Sequence, residues 1–272
     1  MSYGFIANSP KQKYDSNKGV FSMEEISELV DNHDWAGISG LSIDLHVIGA
    51  GAAGASDAQG SGAGGGFAGG TMTFYKQMDI IIGAGGNGSN QPGASSYVIF
   101  NDGDEHVRGS GGGDRTGSNH FQNSNGTAGV GGNVQLAGGN GAGSGSNGGN
   151  GATSGNFGAA GGGGGARTNN SNPGGGTGNG LAGNGGDGAN QVANSNNVGK
   201  SDGQAGFAPG GGGGSGSGYF GAGKAGADGG VIVIYTSEYQ LLSGGDTVNS
   251  SGSGVNTEWT HTFNTAGTLD WL

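Results

Sequence analysis

Large apolar residues in this chain fall into short clusters, separated by long stretches that carry almost none. "SIDLHVI" (42–48), "TMTFYKQMDIII" (71–82), "SSYVIF" (95–100) and "GVIVIY" (230–235) are such clusters. They are rich in β-branched and aromatic residues and are bounded by glycine, which predicts strands. Near the C-terminus, "TEWTHTFNTAGTLDWL" (257–272) alternates polar and apolar positions. This predicts one or two strands around Ala266–Gly267, with Trp259, Phe263, Leu269 and Trp271 needing cover. The N-terminal pattern has a different period. Met23, Ile26, Leu29 and Val30 follow the capping box Ser22-x-x-Glu25 at i, i+3, i+6 and i+7, which predicts a short amphipathic helix. Trp35 follows, and Gly37 and Gly40 close the segment. A helix this short needs a surface to cover its apolar stripe, either the rest of the chain or a partner.

Glycine fills the space between clusters: 73 of 272 residues, with only 31% apolar residues. Soluble domains carry roughly 45–50% apolar residues, so a conventional core of this size is out of reach. Collagen needs glycine at every third position and abundant proline, and this chain has four prolines and no strict register. An ordered alternative is polyglycine II, a left-handed helix of three residues per turn. Lacking a Cβ, glycine backbones can lie close enough to bond laterally, and backbone hydrogen bonds then replace the apolar core. Each contributes about 1 kcal/mol net against the ordering entropy, so many are required. The expected fold class is therefore a small α+β N-terminal attachment segment joined to a glycine-rich domain of packed polyglycine II helices, with a few β-strands and little α-helix. Composition divides the chain into residues 1–41, a glycine-rich domain at 42–236 and a C-terminal β tail at 237–272.

The connectors between glycine runs are of two kinds. "SDAQ" (56–59), "NGSNQPGA" (87–94), "DRTGSNHFQNSN" (114–125), "RTNNSNP" (167–173) and "NQVANSNNVGKSDGQ" (190–204) are polar and Asn-rich. "TMTFYKQMD" (71–79), "NDGDEH" (101–106), "NVQLA" (133–137), "TSGNF" (153–157) and "LA" (181–182) are shorter or more apolar. If the chain reverses at each connector, the two kinds alternate, counting a short turn near 144–147 with the first. All the long polar loops then lie at one end.

Charge and chemistry narrow the function by exclusion. A net charge of −11 with nine basic residues argues against nucleic acid and anionic membranes as partners. There is no cysteine, and His33, His46, His106, His120 and His261 lack the spacing of a metal site. His46, inside a strand, reads as a packed residue. No nucleophile–base arrangement stands out, so an enzyme, a catalytic residue, a metal and a cofactor are not expected. "MSYGFIANSPKQKYDSNKG" lacks an apolar signal region, which predicts synthesis in a cytoplasm without secretion. "LHVIGAGAAG" (45–54) carries the Gly49-x-Gly51-x-x-Gly54 spacing of a dinucleotide-binding turn. The following "ASDAQGSGAGGG" cannot form the helix that would face a pyrophosphate, so no nucleotide is expected.

The order "VIGAGAAG", "GGGFAGG", "DIIIGAGGNG", "GASSYVIF", glycine runs and a closing "GGVIVIY" resembles the glycine-rich domains of phage tail proteins. More closely, the plan resembles the tip adhesins of the long tail fibres of T-even-type bacteriophages, and "SNKGVFSMEEISELVDNHDW" is similar to phage tail segments of the "GVFS" type. The resemblance implies a virion protein at the tip of a tail fibre, made in the host cytoplasm. Its N-terminal segment would cap the distal end of a trimeric long tail fibre protein, through Phe21, Met23, Ile26, Leu29, Val30 and Trp35. Loops between polyglycine II helices would recognise a bacterial outer-membrane protein or surface glycan. Carried onto this chain, the receptor-binding residues are Asn87, Asn90, Gln91, Tyr97, Arg115, His120, Phe121, Arg167, Asn169, Asn170, Val192, Asn194 and Lys200. Residues 237–272 have no counterpart in that plan. The alternative is a structural or ice-binding glycine-rich protein without receptor recognition.

Overall fold

The structure, a computed structural model, describes residues 5–6, 20–21, 40–56, 60–75, 77–87, 91–100, 105–113, 126–143, 146–164, 173–189, 202–216 and 221–272. The chain forms two units, Met1–Ser42 with Thr73–Tyr75, and Ile43–Met72 with Lys76–Leu272. In the first, β1 (Phe5–Ile6) pairs antiparallel with β2 (Val20–Phe21), Phe5 opposite Phe21 and Ile6 opposite Val20. The residues predicted as a helix, 22–30, lie outside the described residues.

The remaining strands are β3 (Leu41–Ile48), β4 (Phe67–Phe74), β5 (Met78–Ile81), β6 (Ser96–Phe100), β7 (Glu105–Gly109), β8 (Val134–Leu136), β9 (Thr153–Ser154), β10 (Phe157–Gly158), β11 (Gly230–Thr236), β12 (Leu242–Ser243), β13 (Thr247–Ser251), β14 (Glu258–Phe263) and β15 (Gly267–Trp271). A six-stranded sheet runs β13-β14-β11-β3-β4-β8, and a five-stranded sheet runs β12-β15-β5-β6-β7. The predicted strand clusters supply the centres of both. β11 is apolar on nearly every residue because both its faces are buried, and β3 is buried on both faces over Leu45–Ile48, His46 included. On one face Val47, Val231 and Phe263 share a row, as do Leu45, Val233 and His261. β11 of this sheet touches β6 of the other. The five-stranded sheet contributes Met78, Ile80, Val98, Val107, Leu242 and Leu269 as buried side chains. Each large one stabilises by roughly 1.5–3 kcal/mol on full burial.

On the opposite face of β3, Ile48 joins Phe67, Ala159 and Ala160, flanked by Val134, Leu136, Phe157 and Ala182. His46 sits in this second core, its ring centroid 5.6 Å from Phe67 and 4.9 Å from Phe157.

Residues 237–272 are built into both sheets. β14 pairs with β11, and β15 pairs with β5. A buried polar knot holds this junction. The Tyr235 hydroxyl accepts the N–H groups of Leu241 (3.0 Å) and Leu242 (3.2 Å) and lies 3.4 Å from His261 Nε2. His261 Nδ1 is 2.7 Å from the Gly244 carbonyl, an acceptor only, so Nδ1 carries the proton and Nε2 accepts from Tyr235.

The glycine stretches between strands are cross-linked chain without strand assignment. Their hydrogen bonds step through three neighbours in turn. In residues 159–164, the Ala159 and Gly162 N–H groups bond the carbonyls of Ala152 and Gly149. Those of Ala160 and Gly163 bond Gly65 and Gly62, and those of Gly161 and Gly164 bond Gly183 and Gly186. Residues 49–55 repeat the scheme toward the runs at 60–66, 91–94 and 224–227, the first of which they share with 159–164.

These observations correct the expected class. The described residues hold fifteen β-strands, one three-residue 3-10 turn at Gly254–Asn256 and no α-helix, so the chain is a β protein and not α+β. Packed polyglycine II helices are not shown. The frame is antiparallel sheet, and the glycine stretches are its extensions. The reason is pairing: the short apolar clusters find partners far along the chain, β3 with β11 and β11 with β14, so few apolar residues still close two layers.

Candidate functional site

The Gly49-x-Gly51-x-x-Gly54 turn runs straight out of β3 into the glycine region. A Cβ at these three positions would lie 2.1 Å from the Ser110 carbonyl oxygen, 2.1 Å from that of Gly211 and 2.2 Å from that of Gly214. All three glycines therefore admit a neighbouring backbone. No helix follows among the described residues, and the N–H groups of Gly49, Gly51 and Gly54 bond the carbonyls of Gly66, Ala227 and Lys224.

The glycine region has two distinct ends. At the end joined to the sheets lie Gly49, Gly65, Ala159, Gly183, Pro209 and Gly210, tied by bonds such as Gly65 N–H to Gly210 and Gly183 N–H to Pro209. At the other end of the region, a second set of bonds joins Ala55 to Gly60, Ser61 to Ala142, Ala142 to Gly163, Ser215 to Gly164, Ala189 to Ser215, Gly216 to Ala55 and Gly203 to Ala222. Each of these is the stem of a connector: 56–59, 144–145, 165–172, 190–201 and 217–220. Ser61, buried, fastens the stems by donating to Gly163 and accepting from Ala142 N–H at 2.6 Å. Five connector stems thus converge on one end of the unit, away from the sheets.

Of the residues carried over from the resemblance, Asn87 and Gln91 are described, and both are exposed at a stem. Gly86 N–H bonds the Gly51 carbonyl, and the Gln91 carbonyl accepts from Ala53. Tyr97 is placed elsewhere. It is half-buried on β6, opposite Ile81 and Arg108 in the five-stranded sheet. Asn90, Arg115, His120, Phe121, Arg167, Asn169, Asn170, Val192, Asn194 and Lys200 lie outside the described residues. Phe21 is in β2; Met23, Ile26, Leu29, Val30 and Trp35 also lie outside them. The connectors are shorter than the sequence suggests. Residues 91–94 and 202–204 belong to the cross-bonded region, as Ala94 N–H bonds Ala84 and Gln204 N–H bonds Asp187.

Two polar features of the glycine region carry no mark in the sequence patterns above, the first at this end and the second along an outer run. Lys224 and Asp202 form an ion pair at 2.9 Å, and Asp202 also accepts the Ala222 N–H at 3.0 Å. That backbone bond, then Lys224, holds the Asp202 carboxyl below the usual aspartate value. In addition, "NGGN" (147–150) and "NGGD" (184–187) place side-chain oxygens three residues apart, the step of the glycine bonding. Their spacing is the signal that could have found them.

Among the described residues no three metal-ligating side chains gather. His46 is buried between aromatic rings, and burial pushes its pKa down to about 4.

A family model described as a glycine-rich domain matches residues 31–236, more than half of the chain. The chain belongs to this glycine-rich domain family. Comparison with curated proteins and with solved structures gives no match.

Proposed function

We propose that this glycine-rich protein is the tip adhesin of a phage tail fibre. It recognises a bacterial outer-membrane protein or surface glycan through the connectors that leave one end of the glycine region. Residues 1–41 hold it to the distal end of a trimeric long tail fibre protein, which puts it on the virion. The observation that carries this reading is the convergence of five connector stems on one end of a cross-bonded frame. Binding residues concentrate on loops held by a rigid scaffold, because such loops change without disturbing packing. Here the scaffold beneath the stems is almost free of side chains, so the connectors can vary in length and sequence at little cost in stability. Several fibres on one virion would raise a weak single-site affinity by avidity.

The test is binding of the whole chain, with its fibre partner where needed, to cells of candidate bacterial hosts. The comparison is a variant with 165–172 and 190–201 replaced by Gly-Ser, leaving the bonded stems at Gly164, Pro173, Ala189 and Asp202 in place. Strain-specific binding that disappears in the variant supports the adhesin. Binding unchanged by the replacement moves the site away from this end. A folded chain that binds no host turns the reading to a structural or ice-binding protein, for which thermal hysteresis is the next measurement.

A further inference from the structure

Residues 174–179 form an outer run of the glycine region, with Gly176 buried and Thr177 exposed. Two of its N–H groups point inward to backbone: Gly176 to Gly162 at 2.7 Å and Asn179 to Ala159 at 3.2 Å. The other four end on side chains. Asn147 Oδ1 accepts from Gly174 at 3.0 Å and Asn150 Oδ1 from Thr177 at 2.9 Å. Asp187 Oδ1 accepts from Gly175 at 2.8 Å and Asn184 Oδ1 from Gly178 at 2.8 Å.

In the inner run 159–164 all six N–H groups bond backbone carbonyls of other glycine runs. The four side-chain oxygens therefore occupy the positions where further glycine runs stand inside the protein. An asparagine carboxamide presents the same amide carbonyl acceptor as a peptide group, so the replacement is chemically close. Its placement follows the bonding step, since Asn147 and Asn150, like Asn184 and Asp187, are three residues apart. Four carbonyls of the outer run accept bonds as well, Gly174 from Gly148, Gly176 from Gly185, Thr177 from Gly151 and Asn179 from Ala182.

We propose that Asn147, Asn150, Asn184 and Asp187 seal the outer glycine run 174–179 against pairing with a second copy of this chain. A row of unmet backbone donors is a template for chain addition, as at the edge of a β-sheet. The partner chemistry that fits such a row is another glycine run, and every copy of this protein exposes one. The four side chains hold the donors so that assembly is left to other surfaces.

The experiment uses the full-length chain and two variants, N147A/N150A and N184A/D187A. Sedimentation velocity over a concentration series and amide hydrogen exchange are read together. The expected result is a concentration-dependent species in the variants that the intact chain lacks. In dilute solution, the Thr177 and Gly178 amides exchange about tenfold faster where their acceptor is gone, the loss of roughly one hydrogen bond. The Gly176 and Asn179 amides keep their protection and report that the variants are folded. Folded variants that sediment as the intact chain does at every concentration overturn the proposal, and so does unchanged exchange at Thr177 and Gly178. Should a double variant fail to fold, N150A and N184A singly decide by the same two readouts, with N150D, which keeps an acceptor, restoring the intact behaviour.

Discussion

Gly162 and Gly174 are both glycines of the cross-bonded region, and the structure assigns opposite outcomes to the same substitution. A Cβ on Gly162 would lie 2.1 Å from the Asn140 carbonyl oxygen and 2.7 Å from that of Gly139. Real contacts of this kind need about 3.2 Å, so the two runs must separate by about 1 Å. The run being pushed holds bonds from Gly64 to Gly139 at 2.9 Å, from Gly149 to Asn140 at 2.8 Å and from Gly139 to Ala160 at 2.7 Å. A shift of that size breaks two or three of them where water cannot replace them, at about 1–3 kcal/mol each. Alanine's smaller unfolded-state entropy returns only about 0.4–1 kcal/mol. The expected net loss for Gly162→Ala is then about 1–8 kcal/mol, centred near 4. At Gly174, among the described residues, the only heavy atom within 4 Å of a built Cβ is Asp187 Oδ1, at 3.8 Å. Gly174→Ala should then be neutral or stabilising by up to about 1 kcal/mol. Urea denaturation of the two variants beside the parent, followed by tryptophan fluorescence, measures both. A loss below about 1 kcal/mol at Gly162, or equal losses at the two sites, would refute the claim that close backbone approach replaces a side-chain core here.

Other expectations follow from single groups. Phe67 is fully buried against His46 and Phe157, so Phe67→Ala should cost about 3–5 kcal/mol in the same denaturation experiment. His46 has a folded pKa near 4, against an ordinary 6.5, so the unfolded chain takes up the proton first as pH falls. Its contribution is fully present above 6.5 and is lost between pH 6.5 and 4, by about 3 kcal/mol in all. Denaturation midpoints across that window should flatten in His46→Phe, and an unchanged slope would assign the acid sensitivity elsewhere. Tyr235→Phe removes the acceptor of two backbone N–H groups, and a loss of about 1–3 kcal/mol is expected by thermal or urea unfolding. Asp246, held below the usual aspartate value by the Thr265 hydroxyl and then by the Asn264 and Thr265 N–H groups, stabilises the β14–β15 turn above the ordinary aspartate pKa. That contribution is lost as pH falls through the depressed value, and Asp246→Ala should abolish this part of the acid response.

The local elements were legible because their signals are local. β-Branched clusters bounded by glycine marked β3, β6 and β11, and alternation from Glu258 to Trp271 marked β14 and β15. Of the connectors that the alternation of polar and apolar kinds set at one end, 56–59, 144–147, 167–173 and 190–204 have stems that share an end, 87–94 and 114–125 are not among those stems, and 217–220, outside that pattern, joins them. Glycine count, by contrast, pulled the expected class toward polyglycine II helices, because composition carries no record of which strand pairs with which. Tyr97 illustrates the same limit. Its position beside a connector suggested an exposed contact, but the register of β6 against β5 and β7 sets it inside a sheet.

The sequence by itself marked the apolar strands β3, β6, β11, β14 and β15 but not the short β8, β9, β10, β12 and β13, and it determined that the dinucleotide-like turn lacks its helix. Pairing across long separations was decided only in the tertiary structure: β3 with β11, the C-terminal residues divided between two sheets, and the glycine runs bonded to three neighbours in turn. The physical reason lies in the residue that dominates the chain. A side chain records in its chemistry whether it will be buried or wet, but a glycine offers only a donor and an acceptor. Which partners these meet depends on the neighbours that folding brings alongside.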